Sequence, residues 1–165
     1  MMNNYSDKMV DHVCSKHSYD SVNLLPILQE LQEESTGNYI SEFTAREVAK
    51  TLGITESRVY DVVTYFSALS SEPRGENIIQ ICNSTSCNIN SNRDLIAWFE
   101  KALGIEMGET TPDQKFSLIY THCIGACDLS PAVRINHDVY GNLTEEQVNE
   151  LVQARRNEHA TSKVY

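Results

Sequence analysis

The chain has 165 residues, 41% of them hydrophobic, and a formal net charge of −10 from 23 acidic against 13 basic side chains. That length and apolar content suffice for one ordinary domain, or a smaller one with a helical extension. The acidic excess repels a phosphate backbone and argues against nucleic acid as the main partner. No apolar run approaches the ~18 residues a membrane span needs, and no apolar stretch follows a basic N-terminus, so direct membrane insertion and export are not expected and the cytoplasm is the expected compartment.

Residues 1–18 are polar and without evident apolar periodicity, which predicts a mobile N-terminus with no core. Within it Cys14, between His12 and His17, is expected as a solvent-accessible thiol and not a ligand. A helical bundle is expected over 19–72. Its first helix, Ser21 to Glu34, offers Leu24, Leu25, Ile27, Leu28 and Leu31 as an apolar face and has Pro26 near its start. Thr44-x-x-Glu47 reads as a capping box opening a second helix that stops at Gly53. Thr55 then caps a third, in which Val59, Val62, Val63, Phe66 and Leu69 form a stripe at helical spacing.

The turn-rich segment Ser70 to Gly75 marks a boundary, and a second domain is expected over 76–157, with 158–165 as a tail that frays from Arg155 onward. Asn77 to Cys82 is a short β-like run, followed by a helix capped by Ser91-x-x-Asp94 and closed at Gly104. Lys115 to Cys123 alternates like a strand and, like the first, ends on a cysteine. Ala132 to Asn136 and Val139 to Tyr140 predict a hairpin turning at His137-Asp138, and a Thr144-x-x-Gln147 capping box opens the last helix. The resulting β-α-β-β-α order predicts an α/β protein: an N-terminal helical bundle followed by a thioredoxin-like domain with a small mixed sheet.

Four of the five cysteines form two pairs, Cys82-x4-Cys87 and Cys123-x3-Cys127, separated by 35 residues. Such pairs need a shared metal centre or two disulfides, and a chain without an export signal keeps its thiols reduced. Zinc sites usually close with shorter pairs, although this spacing is within their range. A two-iron cluster is wider, tolerates longer loops, and needs nearby hydrogen-bond donors. Asn83, Ser84, Thr85 and Ser86 in the first loop supply small polar groups. Ile124, Gly125 and Ala126 make up the second, where Gly125 and Ala126 let the backbone come close. A rival reading takes Glu47 to Val63 as a helix-turn-helix of a zinc-stabilised or redox-sensing binding module. Against it, residues 35–70 carry Arg46, Lys50 and Arg58 against Glu42, Glu47, Glu56 and Asp61.

The two cysteine pairs, together with Gly108-Glu109-Thr110-Thr111-Pro112-Asp113, Cys123-Ile124-Gly125-Ala126-Cys127 and Asn142-Leu143-Thr144, resemble the thioredoxin-like [2Fe-2S] ferredoxins over residues 20–155. That family includes the small subunit of the NADH dehydrogenase module of respiratory complex I. Its relatives occur in NAD-linked and electron-bifurcating hydrogenases, formate dehydrogenases and transhydrogenases. The helical part resembles the family too, at Glu33-Glu34 to Tyr39-Ile40 and from Val48 to Ile54 on to Tyr65-Phe66. The resemblance implies a [2Fe-2S] cluster on Cys82, Cys87, Cys123 and Cys127. It also implies a hetero-oligomeric partner, a flavoprotein subunit that binds NAD(H) and FMN and carries further iron–sulfur clusters. The chain is then an electron carrier, non-catalytic alone, and it has no G-x-G-x-x-G of its own. All-thiolate ligation predicts a potential of roughly −400 mV. Where the family often has an acidic pair before the third cysteine, this chain has Thr121-His122.

Overall fold

The computed structural model describes residues 3–157. The chain divides into two compact units, one ending at Arg74 and the other beginning at Gly75.

The first unit is helical: α1 (Asn3–Lys16), α2 (Leu24–Glu34), α3 (Glu42–Leu52) and α4 (Glu56–Tyr65). The expectation of a coreless N-terminus is overturned by α1. Val10, Val13 and Cys14 fall at i, i+3 and i+4, and all three are fully buried in the core with Ile27, Leu28 and Leu31 of α2, Val48 of α3 and Val59 of α4. Cys14 is therefore an interior residue and not an accessible thiol. The end of α1 is fastened to α2 by Glu30, which accepts from Lys16 Nζ at 2.5 Å and pairs with His17 Nε2 at 3.2 Å. A 3-10 turn at Ser21–Asn23, capped by Asp20, takes the place of the expected first helical turn.

The N-cap of α3 is Ser41, whose hydroxyl accepts from the amide of Thr44 at 3.1 Å, and not Thr44, which lies buried inside the helix. The helix ends at Gly53 with φ +65°, where the amides of Gly53 and Ile54 turn back to the carbonyls of Lys50 and Ala49. Thr55 caps α4 as its sequence predicts. Helix α4 stops at Tyr65, so Phe66 is 37% exposed and leaves the predicted stripe. The basic residues of the rival nucleic-acid reading on α3 lie among carboxylates: Arg46 pairs with Glu42 and Glu56, and Lys50 pairs with Glu47.

The second unit is a four-stranded sheet of order β2-β1-β3-β4, with β1 (Asn77–Cys82), β2 (Phe116–Thr121), β3 (Ala132–Ile135) and β4 (Asp138–Gly141). Strand β1 runs parallel to β2 and antiparallel to β3. A short helix, α5 (Thr85–Ile89), follows β1. One face of the sheet, built from Ile79, Ile81, Phe116, Leu118, Val133 and Ile135, is packed by α6 (Asn92–Leu103) and α7 (Glu145–Asn157) through Leu95, Phe99, Val148 and Val152. The segment Gly108 to Asp113 returns along β2, where Leu118 N–H donates to Glu109 O and Thr111 N–H to Phe116 O, so this motif protects a sheet edge.

Several local expectations are refined. Ser91 adopts a left-handed φ of +60° and makes no side-chain cap, so α6 begins without the predicted Ser91 box. The hairpin turns at Asn136-His137, one residue early: the Asn136 side-chain Oδ1 accepts from Ile78 N–H at 2.8 Å and the Asn136 backbone N–H donates to Ile78 O at 3.0 Å. The Thr144–Gln147 capping box forms reciprocally. Arg155, expected in a frayed tail, is held within α7 and bonds Asp138 and Tyr140. The rest of the expected tail, 158–165, lies outside the described residues. No helix among the described residues is long and apolar enough to cross a membrane.

Candidate iron–sulfur site

Parallel strands present their C-terminal ends on the same side of the sheet. Cys82, the last residue of β1, lies opposite Thr121, the last of β2, and Asn83 N–H extends the ladder to Thr121 O at 2.9 Å. Both cysteine loops therefore leave the sheet at one end. The first loop is not open coil: Ser84 begins the short helix α5, which turns Cys87 inward. Cys82 and Cys87 are 2% and 1% exposed and pack with Ala132 at the start of β3. The second loop reaches back over them, with Ile124 and Ala126 against this buried group. Gly125 takes φ +81°, the left-handed conformation that glycine adopts without penalty. Cys123 and Cys127 stay exposed, their sulfurs 3.6 Å apart.

A 3-10 turn, Cys127–Leu129, leads out of the loop and settles on β4. A Cβ at Gly141 would lie 2.0 Å from the carbonyl oxygen of Leu129, so the turn sits where a side chain would otherwise be. No sequence motif marks either Gly141 or Leu129, since a contact between residues twelve apart leaves no local pattern. Of the polar residues between Cys82 and Cys87, Asn83 and Thr85 are exposed while Ser84 and Ser86 are half-buried. His122 is exposed.

The electrostatics join the two pairs. Burial works against ionisation of Cys82, but hydrogen bonds from the Ser84 amide, the Cys87 thiol, the Ser84 hydroxyl and the Ile124 amide outweigh it and hold the thiol below the ordinary range. Cys127 is pushed up, first by its hydrogen bond with Cys123 and then by the charges of Cys123, Cys87 and Cys82, so it lies within electrostatic reach of the other three sulfurs. Among the described residues no three His, Cys, Asp or Glu side chains converge as a single-ion site; the thiols remain two pairs. Four soft donors in two pairs, with amide and hydroxyl donors aimed at sulfur, fit the thiolate ligation of a [2Fe-2S] cluster. One more observation fits: the hydroxyl of Ser130, just past the second loop, is buried and has no hydrogen-bond partner among the described residues.

Comparison with known proteins agrees with this chemistry. The sequence pattern of the thioredoxin-like [2Fe-2S] ferredoxin family matches residues 10–156. An NADH-quinone oxidoreductase subunit of Rickettsia bellii is 36% identical over 135 residues, covering 82% of this chain and 80% of that protein. NADH dehydrogenase [ubiquinone] flavoprotein 2, mitochondrial, of Dictyostelium discoideum is 32% identical over 154 residues. That match covers 92% of this chain and 62% of the longer relative. Among solved structures, an NAD+-reducing [NiFe]-hydrogenase in the H2-reduced state contains a similar fold. It aligns with a TM-score of 0.72 and 15% identity over 87% of this chain and 24% of that one. The chain belongs to the thioredoxin-like [2Fe-2S] ferredoxin family, and a [2Fe-2S] cluster is its cofactor.

Proposed function

We propose that Cys82, Cys87, Cys123 and Cys127 ligate the cluster, and that the chain is the one-electron relay subunit of an NADH-linked oxidoreductase. Its proposed partner is a flavoprotein subunit that binds NAD(H) and FMN and carries further iron–sulfur clusters. The observation that carries the ligand assignment is the delivery of both thiol pairs to one end of the parallel β1–β2 pair, with Ile124 and Ala126 of the second loop packed against Cys82 and Cys87. Support for the partner comes from the relatives, whose names place them in NADH-quinone oxidoreductase and NADH dehydrogenase.

When bound, the cluster supplies a one-electron couple, which a flavin that accepts hydride as an electron pair can use to hand on electrons singly. The residues of the chain fix its surroundings. Cys82, Cys87 and Ala132 form a water-excluded floor, whereas Cys123 and Cys127 open the site to the surface on the other side. The amides of Ser84 and Ile124 and the Ser84 hydroxyl stabilise thiolate at Cys82 before and after the electron arrives. The proposed compartment is the cytoplasm, where thiols stay reduced.

The test is electron paramagnetic resonance on anaerobically purified protein before and after dithionite. One spin-half signal on reduction, with two irons per chain and a potential of roughly −400 mV, is expected. Zinc without iron in that sample overturns the proposal. Anaerobic purification of the native assembly should bring down an FMN-containing subunit.

A further inference from the structure

We propose that the Ser130 hydroxyl donates a hydrogen bond to a sulfide of the bound cluster and thereby sets the cluster's potential; this rests on the function proposed above. Three buried polar atoms find no partner among the described residues: Asn92 Oδ1, Ser130 Oγ and Arg156 Nε. They are not equivalent. The Asn92 amide is already engaged through Nδ2 with Asn88 at 3.2 Å, and the Arg156 guanidinium spreads its charge over the Phe116 ring at 5.7 Å. Ser130 has a single polar side-chain atom, and that atom is orphaned. A buried hydroxyl without a partner is costly enough that native proteins rarely leave one.

The place of Ser130 says what the missing acceptor is. On its N-terminal side the Cys127–Leu129 turn is closed by Leu129 N–H to Ala126 O at 3.1 Å and seated on Gly141. Two residues on its C-terminal side, Ala132 packs with Cys82 and Cys87. Ser130 is held between a cysteine loop and the floor of the sulfur site, at both ends by contacts of that site. The sulfides of the cluster are acceptors rich in charge, and the cluster as a whole would gain one negative charge when one electron is added. A donor hydrogen-bonded to them stabilises the reduced form more than the oxidised form and raises the potential.

The experiment is an EPR-monitored redox titration of the full-length, cluster-loaded protein and of Ser130→Ala and Ser130→Thr, each with iron content and melting temperature measured alongside. The expected result is full iron content in Ser130→Ala with the reduced-to-oxidised ratio at fixed potential lowered about tenfold, equivalent to about 59 mV downward for a one-electron couple. Ser130→Thr, which keeps the hydroxyl, should titrate like wild type. An unchanged midpoint in a fully loaded Ser130→Ala overturns the proposal and leaves the cluster assignment standing. A wild-type protein without the reduced-state signal instead defeats the function it rests on. If Ser130→Ala loads poorly, Ser130→Thr and Ser130→Val, matched in shape, carry the comparison, and equal midpoints in that pair overturn the proposal.

Discussion

Gly141 of β4 lies directly beneath Leu129, so that a Cβ placed on it would stand 2.0 Å from the Leu129 carbonyl oxygen and 2.5 Å from the Leu129 Cβ. Both neighbours are backbone-fixed and cannot swing aside. Gly141→Ala should push the Cys127–Leu129 turn off the sheet, at a stability cost of about 1–3 kcal/mol for the overpacking. Because that turn begins at Cys127, iron content per chain should fall as well. Wild-type iron content together with a wild-type melting temperature would refute the seating role.

The five cysteines should divide sharply. Cys82→Ser and Cys123→Ser should remove or severely degrade the cluster spectrum, while Cys14→Ser leaves it intact. Cys14 reports on the core: burial, with the Asp11 carboxylate, pushes its thiol up, and it is fully buried. It should resist alkylation in the folded protein, and Cys14→Ser should cost about 1–3 kcal/mol for a hydroxyl placed among apolar neighbours. Rapid alkylation of Cys14 under native conditions would show that α1 does not hold its place.

Asn136 does two jobs at the β3–β4 turn, holding a left-handed φ of +54° and pairing twice with Ile78 at 2.8 and 3.0 Å. Substitution separates them. Asn136→Gly keeps the backbone conformation and loses the side-chain bonds to Ile78, Glu76 and Asn77, about 1–2 kcal/mol, whereas Asn136→Ala adds the left-handed penalty of about 1 kcal/mol more. Urea unfolding of the two variants measures the difference, and equal costs would show the conformation to be irrelevant.

Acid should loosen the first unit through Glu30. The carboxyl is held below the usual glutamate range chiefly by the Lys16 hydrogen bond, with burial opposing and His17 adding a second bond. A group depressed in the folded state contributes stability that is fully present above its unfolded value, about 4.3, and that disappears as pH falls through the folded one. The contribution is about 0.5–1 kcal/mol for a half-exposed pair. Melting curves of wild type and Glu30→Gln should differ most near neutral pH and converge in acid; a gap independent of pH would argue against the ionised pair.

Much of the second unit could be read from local signals. Gly104 and the Thr144–Gln147 box mark helix ends by rules confined to one turn of chain, and β1 announces itself as three isoleucines running into Cys82. The family and its [2Fe-2S] cofactor were legible because the number and spacing of the cysteines are written in the sequence. What escaped depends on partners. Among the described side chains of α1 the buried stripe is Val10, Val13 and Cys14, with Met9 packed against the same core, too narrow to stand out until α2 and α3 cover it. The cap read at Thr44 lies at Ser41 instead, because the chain turns into α3 directly after Ile40. The polar run inside Cys82-x4-Cys87 looks like a loop, yet the geometry that turns Cys87 inward makes it the short helix α5. The seat of Leu129 on Gly141 and the isolation of Ser130 Oγ are products of tertiary packing, for which no sequence pattern exists.

The parallel pairing of β1 with β2 also imposes an order of events. Two strands that run the same way cannot be joined by a tight turn, so the chain between Cys87 and Cys123 must travel back along α6 before the second loop can meet the first. Contacts this far apart in sequence form late, after the entropy of closing the connection has been met. The newly made chain therefore presents a C-x4-C pair to its surroundings well before its counterpart exists in space. On the proposed ligand set, iron that meets the chain before β1 and β2 pair would meet only half of the site.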